Sequence, residues 1–393
     1  MLISITFITF SGLFLGFLCK KIKFPSLFGM IIAGILIGPH VLNIIDPCIL
    51  NISADIRKIA LIIILIRAGL KLDINDLKKV GRPAILMCFL PATFEVLGMV
   101  LIAPHILGIT TLEAAVLGAV IGAVSPAVIV PRMIRLIDEK RGTKQGIPQM
   151  ILAGASVDDI FVIVLFTTFT SIACGGTISV KSFIDIPVSI VLGVVAGLAV
   201  GYILVIYFNK MHIRDSVKVI IILGISFALT FVEDTWKVIP FASLIAIMAL
   251  GTMIRRQKQE LAVRLSGKYD KLWVVAEIFL FVLVGASVEI SSLKTAGVRA
   301  FILILIVLVF RMIGVYLCML GTSLNLRERA FCMLAYTPKA TVQAAIGGLP
   351  LAMGLACGNI VLTTSVVAIM LTAPLGAFAI DLTYKRFLEA NNG

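Results

Sequence analysis

The feature that most constrains this chain is a succession of charge-poor apolar runs, each roughly 20 residues long, repeated from one end to the other. A run of that length matches the hydrocarbon thickness of a bilayer when wound as an α-helix. A helix also satisfies its own backbone hydrogen bonds where no water is available. Of the 393 residues, 60% are apolar and 14% charged. Soluble domains have about 45–50% and 25%, so a water-soluble fold has nowhere to put this surface. The formal net charge is +13, which on its face would suit nucleic acid. The basic residues, however, sit in short loops between apolar runs, where they set membrane orientation, and no basic–aromatic alternation accompanies them.

The pattern predicts an all-α membrane protein with about thirteen transmembrane helices. The spans run over 2–19, 26–43, 57–71, 83–104, 112–132, 147–173, 184–209, 216–232, 239–254, 272–290, 297–320, 329–352 and 359–384. No loop reaches the roughly 50 residues of a separate soluble domain, so 1–393 reads as one polytopic domain. Residues 1–10 have no basic start and no small-residue cleavage site, and read as a retained first helix. With the N-terminus outside, the inner loops hold 25 of the 34 basic residues. The outer loops hold six: Arg57, Lys58, Lys181, Lys237, Lys294 and Arg299. One missed span would scramble that asymmetry, so the C-terminus is placed inside.

Seven cysteines show no metal-binding spacing and read as small membrane-core residues. His40, His105 and His212 lie near span ends and read as interfacial. No cofactor is implied. There is no HExxH, no GxSxG in a suitable context and no zinc cluster, so the chain does not read as an enzyme.

Ionisable groups at membrane depth cost several kcal/mol and need a partner or a purpose. Arg67 lies near the inner end of its span and can snorkel. Four other places have no such explanation. Asp158 and Asp159 lie well inside the span 147–173. Two carboxylates so close repel, so one holds its proton more tightly and can trade it for a cation. Val124-Ser125-Pro126 interrupts the span 112–132, and a proline there frees backbone carbonyls that can face a cation. Tyr336-Thr-Pro338-Lys339-Ala-Thr341-Val-Gln343 interrupts the span 329–352 in the same way. Glu95 and Arg311 are lone charges inside their spans, and mutual pairing is the economical solution.

Both breaks and both lone charges recur seven spans apart. An odd offset reverses orientation, which is the arrangement of inverted-repeat transporters with two broken helices crossing at the midplane.

Four runs carry a resemblance: Leu65-Ile-Arg-Ala-Gly-Leu70, Gly122-Ala-Val-Ser-Pro-Ala-Val128, Ser156-Val-Asp-Asp-Ile160 and Pro338-Lys-Ala-Thr-Val-Gln-Ala-Ala-Ile-Gly347. Together with Gly34-Ile-Leu-Ile-Gly-Pro-His40 they resemble the monovalent cation:proton antiporters, closest to the NHA (NHEDC) sodium/proton exchanger branch. The resemblance implies a homodimer with a mobile core domain, spans 83–173 and 297–384, and a fixed dimer or scaffold domain made of the remaining spans, working by elevator-like alternating access. It implies Asp159 as the cation- and proton-binding carboxylate, with Asp158 as helper. Ser125, Val124, Pro126 and Thr341 would line the site, and Lys339 would supply charge at the second break. It also implies the Glu95–Arg311 pair, which leaves Asp158 without an obvious basic partner.

The reading is therefore a sodium or lithium/proton antiporter whose partners are monovalent cations, protons and lipid, with no nucleic acid, in a bacterial-type cytoplasmic membrane. The alternative is a sodium-coupled symporter of an organic anion, in which Lys339 and Arg311 hold a carboxylate. Pairing with Glu95 counts against it.

Overall fold

The structure, a computed structural model, describes residues 1–22, 24–72, 81–174, 180–211, 213–235 and 241–390. Lys23, Lys78, Lys79, His212 and Lys237 lie outside the described residues, as do the side chains of Lys181 and Lys294.

Among the described residues, eight helices are long and apolar enough to cross a membrane. They are Leu2–Lys21, Arg82–Leu107, Thr111–Asp138, Ile147–Ala173, Val188–Lys210, Asp215–Glu233, Gly297–Cys318 and Gly358–Phe387. Shorter apolar helices span Ser26–Ile37 and Thr341–Ala352. The protein is thus an all-helical membrane protein. Several expected boundaries move. The helix expected over 26–43 stops at Ile37, because Gly38 turns extended and Pro39 follows. The span expected over 57–71 begins at Ser53, so Arg57 is inside a helix and buried rather than in a loop. The span expected over 272–290 is the later half of a helix, Gln259–Ala286, whose charged first half carries Arg264, Lys268 and Lys271.

The chain divides into two compact units. The smaller comprises Lys58–Ile74 and Gly175–Glu277. In it the helix Val180–Lys210 packs along Ser243–Gln257, and a Cβ on Gly197 would lie 2.1 Å from the carbonyl oxygen of Ala246. Arg67 does not simply snorkel. It forms an ion pair with Asp270, which also binds Lys71 at 2.9 Å.

The larger unit comprises Met1–Arg57, Asn75–Cys174 and Ile278–Gly393. Lipid is as apolar as leucine, so helices in a membrane adhere through close packing rather than through the hydrophobic effect. Glycines make that approach here. A Cβ on Gly34 would lie 2.0 Å from the carbonyl oxygen of Val282, and one on Gly285 would lie 2.2 Å from that of Ile31. The helix Leu90–Leu107 runs along Ile290–Cys318, bringing the segment that carries Glu95 beside the one that carries Arg311.

Two helices of this unit are interrupted. The first runs Thr111–Ile121, breaks over 122–125 and resumes as Pro126–Asp138. The second runs Leu326–Ala335, breaks over 336–340 and resumes as Thr341–Ile346. Each first half opens with a capping box. Thr110 and Glu113 exchange bonds in one, Asn325 and Glu328 in the other. One second half starts at Pro126, and the other starts three residues after Pro338.

Replacing Gly34 with valine forces backbone atoms apart and lowers stability by about 1–3 kcal/mol. A fall in melting temperature in detergent, with Leu36→Val (a half-exposed neighbour) nearly silent, checks it.

Candidate ion site at the helix breaks

The sequence explains where the breaks fall. Pro126 has no N–H to continue the first helix and takes the first position of the next, where that N–H is not needed. Ser125 becomes the N-cap of Pro126–Asp138. An N-cap serine normally accepts a bond from the first turn, but the Ser125 side chain makes no capping bond. Its buried Oγ has no hydrogen-bond partner among the described residues.

The two breaks touch. The Ser125 N–H donates to the carbonyl of Pro338 at 2.8 Å. From the second helix, Gln343 Nε2 donates to the carbonyls of Ile121, at 3.1 Å, and Ala123, at 2.9 Å. The Lys339 N–H donates to Thr372 Oγ1 at 2.9 Å, tying the second break to the helix Gly358–Phe387.

Arg311 lies at the centre and is fully buried. Its Nε donates to the Tyr336 carbonyl at 2.6 Å, where the first half of the second helix ends. Its Nη1 donates to the Gly122 carbonyl, where the first half of the first helix ends. The same Nη1 reaches Glu95 Oε2 at 2.6 Å, and Nη2 reaches Asp158 Oδ2 at 3.0 Å. One guanidinium thus faces two helix C-termini, where partial negative charge accumulates, and two carboxylates. Lys339 Nζ binds the same Glu95 oxygen at 2.5 Å.

These contacts change two readings. Asp158 has a basic partner, Arg311, and takes the Val124 N–H at 2.8 Å as well. Sequence could not show this, because 153 residues separate the pair. The carbonyls expected to be free at the first break are not all free. Those of Ile121, Gly122 and Ala123 accept from Gln343 and Arg311. Val124 contributes its N–H, and Pro126 the helix start. Gln343 and Thr372 were legible only as polar residues in apolar spans.

Asp159 is 6% exposed. Its Oδ1 has no hydrogen-bond partner among the described residues. The same holds for Asp158 Oδ1, Thr341 Oγ1 and Gln343 Oε1. Buried polar atoms are almost always bonded, so a group of orphaned oxygens at two joined helix breaks needs an explanation. All of these are acceptor-capable oxygens, the donor set that suits a hard cation.

Comparison with known proteins fits this arrangement. The profile of the family described as sodium/hydrogen exchanger, transmembrane, matches residues 5–385. The human sodium/hydrogen exchanger 9B2 is 32% identical over 385 residues, covering 93% of this chain and 70% of its own. The Xenopus tropicalis protein of the same name is 32% identical over 412 residues, covering 99% and 75%. Human sodium/hydrogen exchanger 9B1 is 30% identical over 391 residues, covering 93% and 72%. The chain belongs to the sodium/hydrogen exchanger family. In fold it is similar to the sodium proton antiporter MjNhaP1 from Methanocaldococcus jannaschii, with a TM-score of 0.85 over 98% of this chain and 99% of that one, at 20% identity.

Arg311→Ala strands Asp158, leaves Glu95 with Lys339 alone and uncaps two helix ends, a loss of about 3–5 kcal/mol. Arg311→Lys fails to restore it, because an ammonium cannot span acceptors set out for a planar fork. Thermal melts of both variants in detergent check this.

Proposed function

We propose that this protein exchanges Na⁺ or Li⁺ for protons across a membrane, by competition at Asp159. One observation carries the reading. The buried cluster contains two cations, Arg311 and Lys339, and three carboxylates, Glu95, Asp158 and Asp159. Glu95 is paired with both cations and Asp158 with Arg311. Asp159 is the surplus carboxylate. An uncompensated charge in a low-dielectric interior is costly, so Asp159 is accommodated when a proton or a cation joins it.

Ser125 Oγ, Thr341 Oγ1 and the free oxygen of Asp158 are the supporting ligands. Hard oxygen donors favour small hard cations over soft ones. In this reading Lys339, Glu95 and Arg311 hold the two breaks together rather than bind cargo. A symporter of organic anions is less favoured, because both cations of this cluster are already committed to carboxylates.

The finer architecture belongs to the same proposal. Two broken helices, each opened by a capping box and each closed on Arg311, fit an inverted repeat within thirteen crossings. Alternating access then moves the site between the two faces, with the neutralised Asp159 crossing at lower cost than the bare carboxylate. An elevator in a homodimer, with the N-terminus outside and the basic loops in the cytoplasm, completes this reading.

If only Asp159 turns over, one proton moves per cation and no net charge crosses. Asp159→Asn abolishes Na⁺- and Li⁺-driven proton flux in proteoliposomes while its melting temperature stays near that of the parent. In the parent, imposing a membrane potential leaves the exchange rate unchanged within about twofold, since work on charge is about 2.3 kcal/mol per elementary charge per 100 mV. Residual Na⁺-dependent flux in Asp159→Asn sinks the assignment. A steep voltage dependence sinks the single-carboxylate count.

A further inference from the structure

Arg57 is a buried cation that the exchange site does not account for. It is 4% exposed, in the first turns of the helix Ser53–Lys71. Its Nε donates to its own helix at the Ser53 carbonyl, 3.2 Å away. Its Nη1 has no hydrogen-bond partner among the described residues. A buried guanidinium normally sits against a carboxylate, and no ion pair to Arg57 occurs among the described residues.

What it sits against is Gly348. A Cβ on Gly348 would lie 2.0 Å from Arg57 Nη1 and 2.8 Å from Cζ. The missing side chain leaves a notch in which the guanidinium sits without displacement. Gly348 comes two residues after the end of the helix Thr341–Ile346, the second half of the second broken helix. Arg57 therefore sits at the joint where Thr341–Ile346 ends and Leu349–Ala352, whose N-cap is Gly348, begins. The opposite end of the same half-helix is Thr341, with its orphaned hydroxyl. Between them Gln343 clamps the carbonyls of the first break. The separation along the axis is about 10 Å at 1.5 Å per residue.

We propose that Arg57 is a positioning residue for the exchange site. It seats in the Gly348 notch and holds the half-helix Thr341–Ile346 in the register that presents Thr341 and Gln343 to the first break. It touches neither cation nor proton. This rests on the antiport reading for its functional consequence, but the anchoring itself does not.

Two readouts keep those apart. The first is amide hydrogen exchange over residues 342–347. Arg57→Met, which keeps most of the stem, and Gly348→Ala, which fills the notch and leaves Arg57 in place, both speed exchange there and leave the helix Leu90–Leu107 as protected as in the parent. Arg57→Lys, which retains the charge, stays close to the parent. The second is transport in proteoliposomes. Arg57→Met and Gly348→Ala each raise the apparent KM for Na⁺ by about tenfold, an effect the size of a weakened polar contact or two, with the maximal rate altered less than about twofold. Combined, they raise it no further than either alone, because both remove the same seating of the guanidinium in the notch. A general loss of stability instead lowers the maximal rate and leaves KM in place. Unchanged protection over 342–347 overturns the anchor. Protection lost there with KM unaltered in actively exchanging vesicles overturns its role at the site, as does an additive double variant. If the parent itself fails to exchange Na⁺ for protons, the antiport reading falls, and hydrogen exchange alone decides the anchor.

Discussion

A single buried guanidinium holds the larger unit together. Two helices end in the interior, and each ending leaves carbonyls with no intrahelical partner. In water these would be solvated. At membrane depth each must be matched or lost at a cost of several kcal/mol. Arg311 matches one from each helix, at Gly122 and Tyr336, and adds Glu95 and Asp158. The breaks that a transporter needs are tolerated because one planar cation with a fixed fork of donors closes both of them. Gln343 completes the closure from the other helix.

That closure divides labour between adjacent aspartates. Asp158 and Asp159 are neighbours in sequence but point about 100° apart on a helix. Asp158 turns to Arg311 and the Val124 N–H and is locked into the scaffold. Asp159 is left with an unmatched oxygen. The frame pairs Glu95, Asp158, Arg311 and Lys339 with one another and leaves Asp159 outside those pairs. The Ser125 side chain, forgoing its usual capping bond, leaves a further unmatched oxygen at the first break. Preorganisation here consists of what the frame withholds from Asp159 as much as of what it supplies.

Much of this was legible residue by residue. The apolar runs gave the helices, because a bilayer admits little else. Pro126 and Pro338 marked the breaks, because proline cannot continue a helix. Glu95, Arg311, Lys339 and the two aspartates stood out, because charge at that depth is expensive. The capping boxes at Thr110–Glu113 and Asn325–Glu328 were also written in the local sequence. The end of the second helix at Ile37 followed from Gly38-Pro39, and a hydropathy window ran past it. Arg57 was placed in a loop because hydropathy alone could not see that the glycine at 348 makes room for a charge.

The sequence by itself therefore determined that the chain lives in a membrane as helices, where two of those helices break, and which charges are buried there. Those facts depend on local properties: transfer cost, backbone donors and proline geometry. Tertiary structure decided which buried charge meets which. Arg311 serves Asp158 as well as Glu95, Lys339 shares Glu95, and the carbonyls of the first break are taken while Asp159 is left over. Such pairings join residues up to 244 positions apart. They depend on how helices cross and how closely glycines let them approach, which no spacing along one chain encodes.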